Sequence, residues 1–331
     1  MTGVQTCALP ISLNTDHMSS EYKEEVIKYW HQYTKKFKPY WHKYYSSRNG
    51  VYDVRYIPDD LYYTTIDQYF NNRKYGWGVN DKNYYSIWFS NAKQPKTIVR
   101  KINGIYYNEK YELISKKEVI QLCSQQPRLI IKPSVETGGS KGIKFWEKSQ
   151  GINLLETYLI QGLSNLIVQE IIVQHKNLSE NHSNSINTVR VISLLFKNKV
   201  HILSSVLRMG VNGSTVDNAS AGGITCGIKE NGQLKDVAYS AHGIKYEKHP
   251  QGFVFSDCIV PSYEKVKDLV IMEHSKMAHF RLISWDIAVG EDGEPIFIEA
   301  NLRNGELDFH QFNNGPLFGD LTDEVLSEVF K

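Results

Sequence analysis

Two stretches of this 331-residue chain hold residues whose types and spacing point to chemistry. The first is RLISWDIAVGEDGEPIFIEAN, residues 281–301. If Asp292-Gly293 closes a two-residue hairpin loop, Asp286 stands opposite Glu299, with side chains about 5 Å apart. The pleat repeats every two residues, so Asn301 projects from the same face as Glu299. Two opposed carboxylates repel unless a cation or a shared proton lies between them. With the neutral amide oxygen of Asn301 they form an all-oxygen set suited to Mg²⁺, which keeps waters and accepts substrate phosphates as further ligands. A solvated acidic hairpin edge is the plainer alternative, but the flanking Trp285, Ile287, Phe297 and Ile298 argue against full exposure.

The second stretch is RLIIKPSVETGGSKGIKFW, residues 128–146. A strand delivers Lys132, Pro133 stops it, and Gly138, Gly139, Ser140 and Gly142 make a flexible loop. Glycine lets the main chain approach a phosphate closely and offer it N–H groups. The segment fits neither GxxxxGK[ST] nor GxGxxG. By itself it reads equally well as a surface turn with a basic flank.

These residues need strands and hairpins to position them. From about Thr97 onward, short β-branched runs are punctuated by Gly and Asn. Residues 129–132, 166–173, 189–196 and 200–207 read as strands, the last two joined by Lys197-Asn198-Lys199. Residues 225–228 and 234–239 flank Asn231-Gly232, a stronger hairpin signal. Residues 153–163 and 263–280 read as helices, the latter with Ser262 as N-cap. Residues 282–289 and 295–301 are the strands that carry Asp286, Glu299 and Asn301. Strand pairs interrupted by helices predict an α+β chain.

The N-terminal third differs in composition, with 17 of the 21 tyrosines lying between Tyr22 and Tyr111. Tyr22, Val26, Tyr29/Trp30, Tyr33 and Phe37 recur at helical spacing, with Pro39 as the stop. Core packing is the better reading of that stripe than stacking on a sugar or base. We divide the chain into 12–95, an aromatic-rich region, and 96–331. Residues 1–11, MTGVQTCALPI, resemble the in-frame translation of a DNA sequencing adapter and are set aside.

Composition excludes several classes. With 41% hydrophobic and 22% charged residues, the chain can bury a core. A net charge of +2 gives no reason to expect a nucleic-acid partner. No apolar run approaches the ~18 residues of a membrane span. Cys123, Cys226 and Cys258 form no CxxC pair, which points to a reducing cytoplasm and buried thiols. His242, His249 and His310 show no metal-ligand spacing. Asn187 and Asp217-Asn218 lie near the arginines in sequence and serve as substrate-orienting or turn residues, with neither reading favoured for the Asp-Asn pair.

Both stretches, in this order, resemble the ATP-grasp superfamily, which holds ATP between two α+β subdomains. The resemblance implies that Lys82, after Asp81, and Lys132 contact the nucleotide phosphates and that the glycine loop covers them. Residues 166–173, LIVQEIIV, resemble the hinge that reads adenine, which implies Gln169, Glu170 and Ile172 as its contacts. His175 and Lys176 stand where the family carries an acidic ribose ligand. Arg190 and Arg208 match strand residues beside the phosphates, and Asp286, Glu299 and Asn301 match the magnesium set. SINTVRVISLL, LRMGVNGSTVDNASAGGITCGI, HPQGF, LISWDIAV and FHQFNNGPLFGD are similar to the sugar-transfer-associated members, found among bacterial polysaccharide-synthesis proteins. So are YIPDDLYYTTID and PKTIVRKINGIYY.

The resemblance implies an ATP- and Mg²⁺-dependent ligase that activates a small-molecule carboxylate as an acyl phosphate for an amine or another nucleophile. A sugar-linked substrate follows from the narrower likeness. Its rivals are a kinase of the same fold and a nucleotide-binding module without turnover.

Overall fold

The computed structural model describes residues 18–135, 141–160, 162–180, 185–211 and 222–331. Two antiparallel sheets organise them. The first is built from β1 (Thr97–Ile102), β2 (Ile105–Tyr107), β3 (Arg128–Pro133), β4 (Lys144–Glu147) and β5 (Leu166–Glu170). Its spatial order is β2-β1-β5-β3-β4, so β5 lies at the centre. The second comprises β6 (Thr188–Phe196), β7 (Lys199–Met209), β8 (Ile224–Ile228), β9 (Leu234–Ser240), β10 (Lys245–Tyr246), β11 (Leu282–Val289) and β12 (Pro295–Asn301). Its order is β10-β9-β8-β7-β6-β11-β12, with β12 at the edge. The chain is α+β, as its sequence predicts.

Local chemistry sets these elements. Lys197 and Asn198 both take positive φ, 49° and 61°, which makes the two-residue turn that suits the twist of β6 and β7. Helix Lys116–Ser124, which covers the first sheet, starts at a capping box between Ser115 and Glu118. Val119, Ile120 and Cys123 on that helix pack with Leu129, Ile131 and Val168 of the sheet.

Three expectations about elements need correction. The aromatic stripe is not one helix to Pro39: helix Ser20–Trp30 ends earlier, and Pro39 directly precedes helix Tyr40–Asn49. Proline at a helix start forfeits no intrahelical bond, because the first N–H groups have no partner there. The stripe nonetheless fills a core: Tyr22, Val26, Trp30 and Phe37 pack with Ile192, Phe196 and Leu282 of the second sheet and with Val325 and Leu326. Ser262 adopts φ 51° and makes no side-chain cap bond to helix Tyr263–His274. That helix stops at His274, whose ring bonds Ser193 Oγ at 2.7 Å and the Phe280 carbonyl at 3.0 Å. Holding the carbonyl of Phe280 draws the following segment back across the helix end.

The third correction concerns the β11–β12 hairpin. Gly290 N–H donates to the Glu294 carbonyl at 2.9 Å, so three residues, Glu291 to Gly293, form the loop. Gly293 takes φ 76°, the left-handed position that closes such loops. Near the loop Val289 pairs with Pro295 and Ile287 with Phe297; a register shift follows, and Asp286 pairs with Glu299. A β-bulge that opposes two residues to one offsets the different loop.

Candidate functional site

The site forms where the two sheets meet. Asp81 turns the chain: its carboxylate accepts from Asn83 N at 2.9 Å and starts the short helix Lys82–Tyr84. Lys82 N–H donates to the Ser134 carbonyl at 2.7 Å, tying this turn to the end of β3. Lys82 then reaches Glu299 on β12, with Nζ 2.6 Å from Oε1. Lys132, buried on β3, lies near both. Burial, followed by the Lys82 charge, pulls its ammonium down to about 8, while Glu299 acts in the opposite sense. Two residues 50 positions apart in sequence therefore place their charges around one carboxylate.

Asp286 occupies the other half. Arg190, opposite it on β6, donates Nε to Oδ1 at 2.7 Å and Nη2 to Oδ2 at 2.6 Å. Arg208 on β7 adds a bond from Nη1 to Oδ2 at 3.2 Å. Burial alone would raise this carboxyl; the Arg190 and Arg208 charges outweigh it and hold it at about 2. Arg190 also bonds Glu306 through Nη1 and lies over the Phe309 ring. His310 sits fully buried beside this group, its Nδ1 on Ser204 Oγ at 2.8 Å. Burial and the Arg190 charge push its pKa well below the usual value.

Four cations (Lys82, Lys132, Arg190 and Arg208) thus gather around Asp286, Glu299 and Glu306. The arrangement suits a polyanion that brings its own divalent ion. Among the described residues no three His, Cys, Asp or Glu side chains cluster for a metal. The donor chemistry still fits a hard cation. Glu299 engages one oxygen with a flexible lysine, and Asn301 donates its Nδ2 to the Ser284 carbonyl at 3.3 Å, leaving its amide oxygen as an acceptor. Ser284 Oγ is buried without a partner on the same strand face as Asp286. Asp286 differs, because both its oxygens are held by arginine.

Other sequence candidates fall in less uniform places. Gly142 takes φ 81°, and a Cβ there would stand 3.0 Å from Pro133 Cγ, so this position requires glycine. Gly138, Gly139 and Ser140 lie outside the described residues, as do Asp217 and Asn218. Gln169 is inside β5: its backbone pairs with Thr97 and Ile130, and its side chain bonds the Pro95 carbonyl at 3.2 Å. Glu170 ion-pairs with Lys96 at 3.0 Å. Ile172 follows the strand, half-buried, in the segment that leads to the second sheet. There His175 N–H donates to the Val289 carbonyl at 3.0 Å. Asn187 is buried, its Nδ2 donating to the Leu178 carbonyl at 2.7 Å. Cys123, Cys226 and Cys258 are buried, and burial pushes the first two thiols up to about 12.

Sequence reasoning missed Glu306. Its signal was faint, one acidic residue five places after Asn301, with no periodicity to mark it.

The family model for sugar-transfer associated ATP-grasp proteins matches residues 64–325. No curated protein matches the chain at a significant level. Among solved structures it is similar to D-alanyl-alanine synthetase A from Vibrio cholerae, at 12% identity over 76% of this chain and 64% of that one, TM-score 0.42. A D-cycloserine synthetase matches at 12% identity over 77% and 73%, TM-score 0.45. A D-Ala:D-Ser ligase from Enterococcus faecalis matches at 14% over 76% and 60%, TM-score 0.44. The chain thus spans 60–73% of the length of these three relatives. With the family model covering most of its length, the chain belongs to the sugar-transfer associated ATP-grasp family and has the α+β ATP-grasp fold.

Proposed function

We propose that the protein is an ATP- and Mg²⁺-dependent ligase that activates a carboxylate as an acyl phosphate for attack by an amine, in bacterial cell-surface glycan synthesis. The observation that carries this reading is the convergence of Lys82 and Lys132 on Glu299, next to the Arg190–Asp286–Arg208 group. Lys82 and Lys132 hold the α- and β-phosphates, and Gly138, Gly139, Ser140 and Gly142 are the proposed further phosphate contacts. Gln169, Glu170 and Ile172 are the proposed adenine contacts. Mg²⁺, held by Glu299 and Asn301 with Asp286 beside them, would neutralise charge on the β- and γ-phosphates.

The chemistry needs no side-chain nucleophile. A carboxylate oxygen of the substrate attacks the γ-phosphorus; the bond to the β–γ bridging oxygen breaks and ADP leaves. The amine then attacks the acyl carbon, phosphate departs, and the amine loses a proton. Arg190 and Arg208, both held on Asp286, would add positive charge beside the transferred phosphoryl oxygens.

Incubation with ATP, Mg²⁺, hydroxylamine and a pool of carboxylates tests this. The expected products are ADP, phosphate and a carboxylate-dependent hydroxamate. ADP with a stable phosphoester would make the protein a kinase, and AMP with pyrophosphate would make it an adenylating enzyme; either overturns the proposal.

A further inference from the structure

Arg190 serves two carboxylates of unlike standing. Its Nε and Nη2 go to Asp286, and the two side chains are only 9% and 8% exposed. Its Nη1 goes to Glu306, whose side chain is 40% exposed. Asp286 is held from two sides, by Arg190 and Arg208, so its departure would strand buried charge. Glu306 borders solvent, and among the described residues this is its one ion pair.

The backbone on both sides of Glu306 is pinned. Gly305 lies against the second sheet, where a Cβ would stand 3.0 Å from Ser284 Cβ and 3.5 Å from Tyr62 Oη. Leu307, fully buried, donates its N–H to Tyr63 Oη at 3.2 Å. Exchange at Arg190 therefore falls to rotation of the Glu306 side chain, with no movement of the loop. Electrostatics favours that rotation. Asp308 stands two residues on, and burial, then the Glu306 charge, pushes its carboxyl up. Turning Glu306 outward relieves the repulsion between them.

We infer that Glu306 is an internal competitor for Arg190: an anionic group entering the site takes Nη1, and the Glu306 carboxylate swings to solvent. The inference rests on the ligase reading for the identity of that anion, the γ-phosphoryl group of ATP. Such competition weakens binding of the nucleotide before reaction, because a protein carboxylate must be displaced and its charge lies near the incoming phosphate. ADP escapes the competition, since it has no γ-phosphate to bring to Arg190.

Titration calorimetry on the full chain tests this with Mg²⁺ and either ADP or the β,γ-imido analogue of ATP, so that no turnover is required. Glu306→Gln keeps the side-chain shape and removes the charge. It should tighten binding of the analogue about tenfold, the worth of one charge-assisted contact, and leave ADP within about twofold. Glu306→Ala should do the same and stands in if the first variant does not fold. A residue that only supported Arg190 would give the opposite sign, weaker analogue binding. That result overturns the inference and leaves the ligase reading, as does unchanged affinity. Equal tightening of ADP and analogue also overturns it, because a general charge effect would then replace exchange at Arg190. If neither nucleotide binds the wild-type chain, the ligase reading fails and inorganic phosphate becomes the probe. Tighter phosphate binding in Glu306→Gln would then keep the competitor, and equal binding would remove it too.

Discussion

Asp286 and Glu299 are direct cross-strand partners on β11 and β12, yet different cations answer them: Arg190 and Arg208 hold Asp286, and Lys82 holds Glu299. The repulsion expected of opposed carboxylates is relieved from two sides, one arm arriving from the second sheet and the other from the segment before the first. The arginine arm is buried and bidentate; the lysine arm is more exposed and single. Under the proposed function, the lysine arm is the one that would exchange on binding Mg²⁺-ATP.

The Arg190–Asp286 pair should contribute strongly to stability, because removing one partner strands a buried charge. Arg190→Met is expected to cost about 3–5 kcal/mol in urea unfolding, and Asp286→Asn in the same background should recover part of that loss. Asp286 is held at about 2, below its unfolded value. Its contribution is therefore complete above about pH 4 and fades as pH falls toward 2. A loss below 1 kcal/mol in the single variant would contradict the pairing.

Glu299→Gln keeps the shape of the side chain and removes its charge. Turnover in the hydroxamate assay should fall by at least about 100-fold. Stability should change by only about 1 kcal/mol, since the ion pair to Lys82 is partly exposed. Wild-type turnover in this variant would exclude Glu299 from the metal set.

Under the proposed function, Lys132 should give nucleotide affinity a pH dependence. Its ammonium, lowered to about 8 by burial and then by Lys82, is largely neutral at pH 9 in the ligand-free chain. Binding ATP must then recover a proton. Affinity measured by calorimetry should weaken by up to about tenfold between pH 7 and pH 9. In Lys132→Met, binding should be weaker throughout and free of that slope; a slope that persists would assign it elsewhere.

Asp308 should lower stability at neutral pH. Burial, then the Glu306 charge, pushes its carboxyl up to about 7. A raised carboxyl favours the folded state at low pH, and that advantage is lost as pH climbs from about 4 through 7. Asp308→Asn retains an acceptor for Phe309 N–H, which the carboxylate accepts at 2.8 Å. Its melting temperature should exceed wild type by roughly 2–4 °C at pH 8. At pH 4 the two should melt together; a variant that melts lower at pH 8 would refute the assignment.

Strand positions were the most legible part of the sequence, because β11 and β12 carry β-branched and aromatic runs with turn residues between them. The Asp286–Glu299 register came out of a wrong loop: the three-residue loop and the bulge offset each other, and a bulge has no alternation signal of its own. The Lys82–Glu299 pair joins residues 217 positions apart, and only the packed sheets bring them together. Ser262 had the residue type of an N-cap without the backbone angle the cap requires.

The shared core of the chain's two ends has a consequence in time. Trp30 packs in one cluster with Val325 and Leu326, and Tyr29 and Tyr33 both bond Asp323. At roughly 5–20 residues per second of synthesis, the aromatic helix waits about 15–60 s for its partners to be made. Until residues 192–196 and 282 are made, Tyr22, Trp30 and Phe37 lack their partners on the second sheet. A newborn chain therefore leaves part of this aromatic surface uncovered until helix Thr322–Val329 is made.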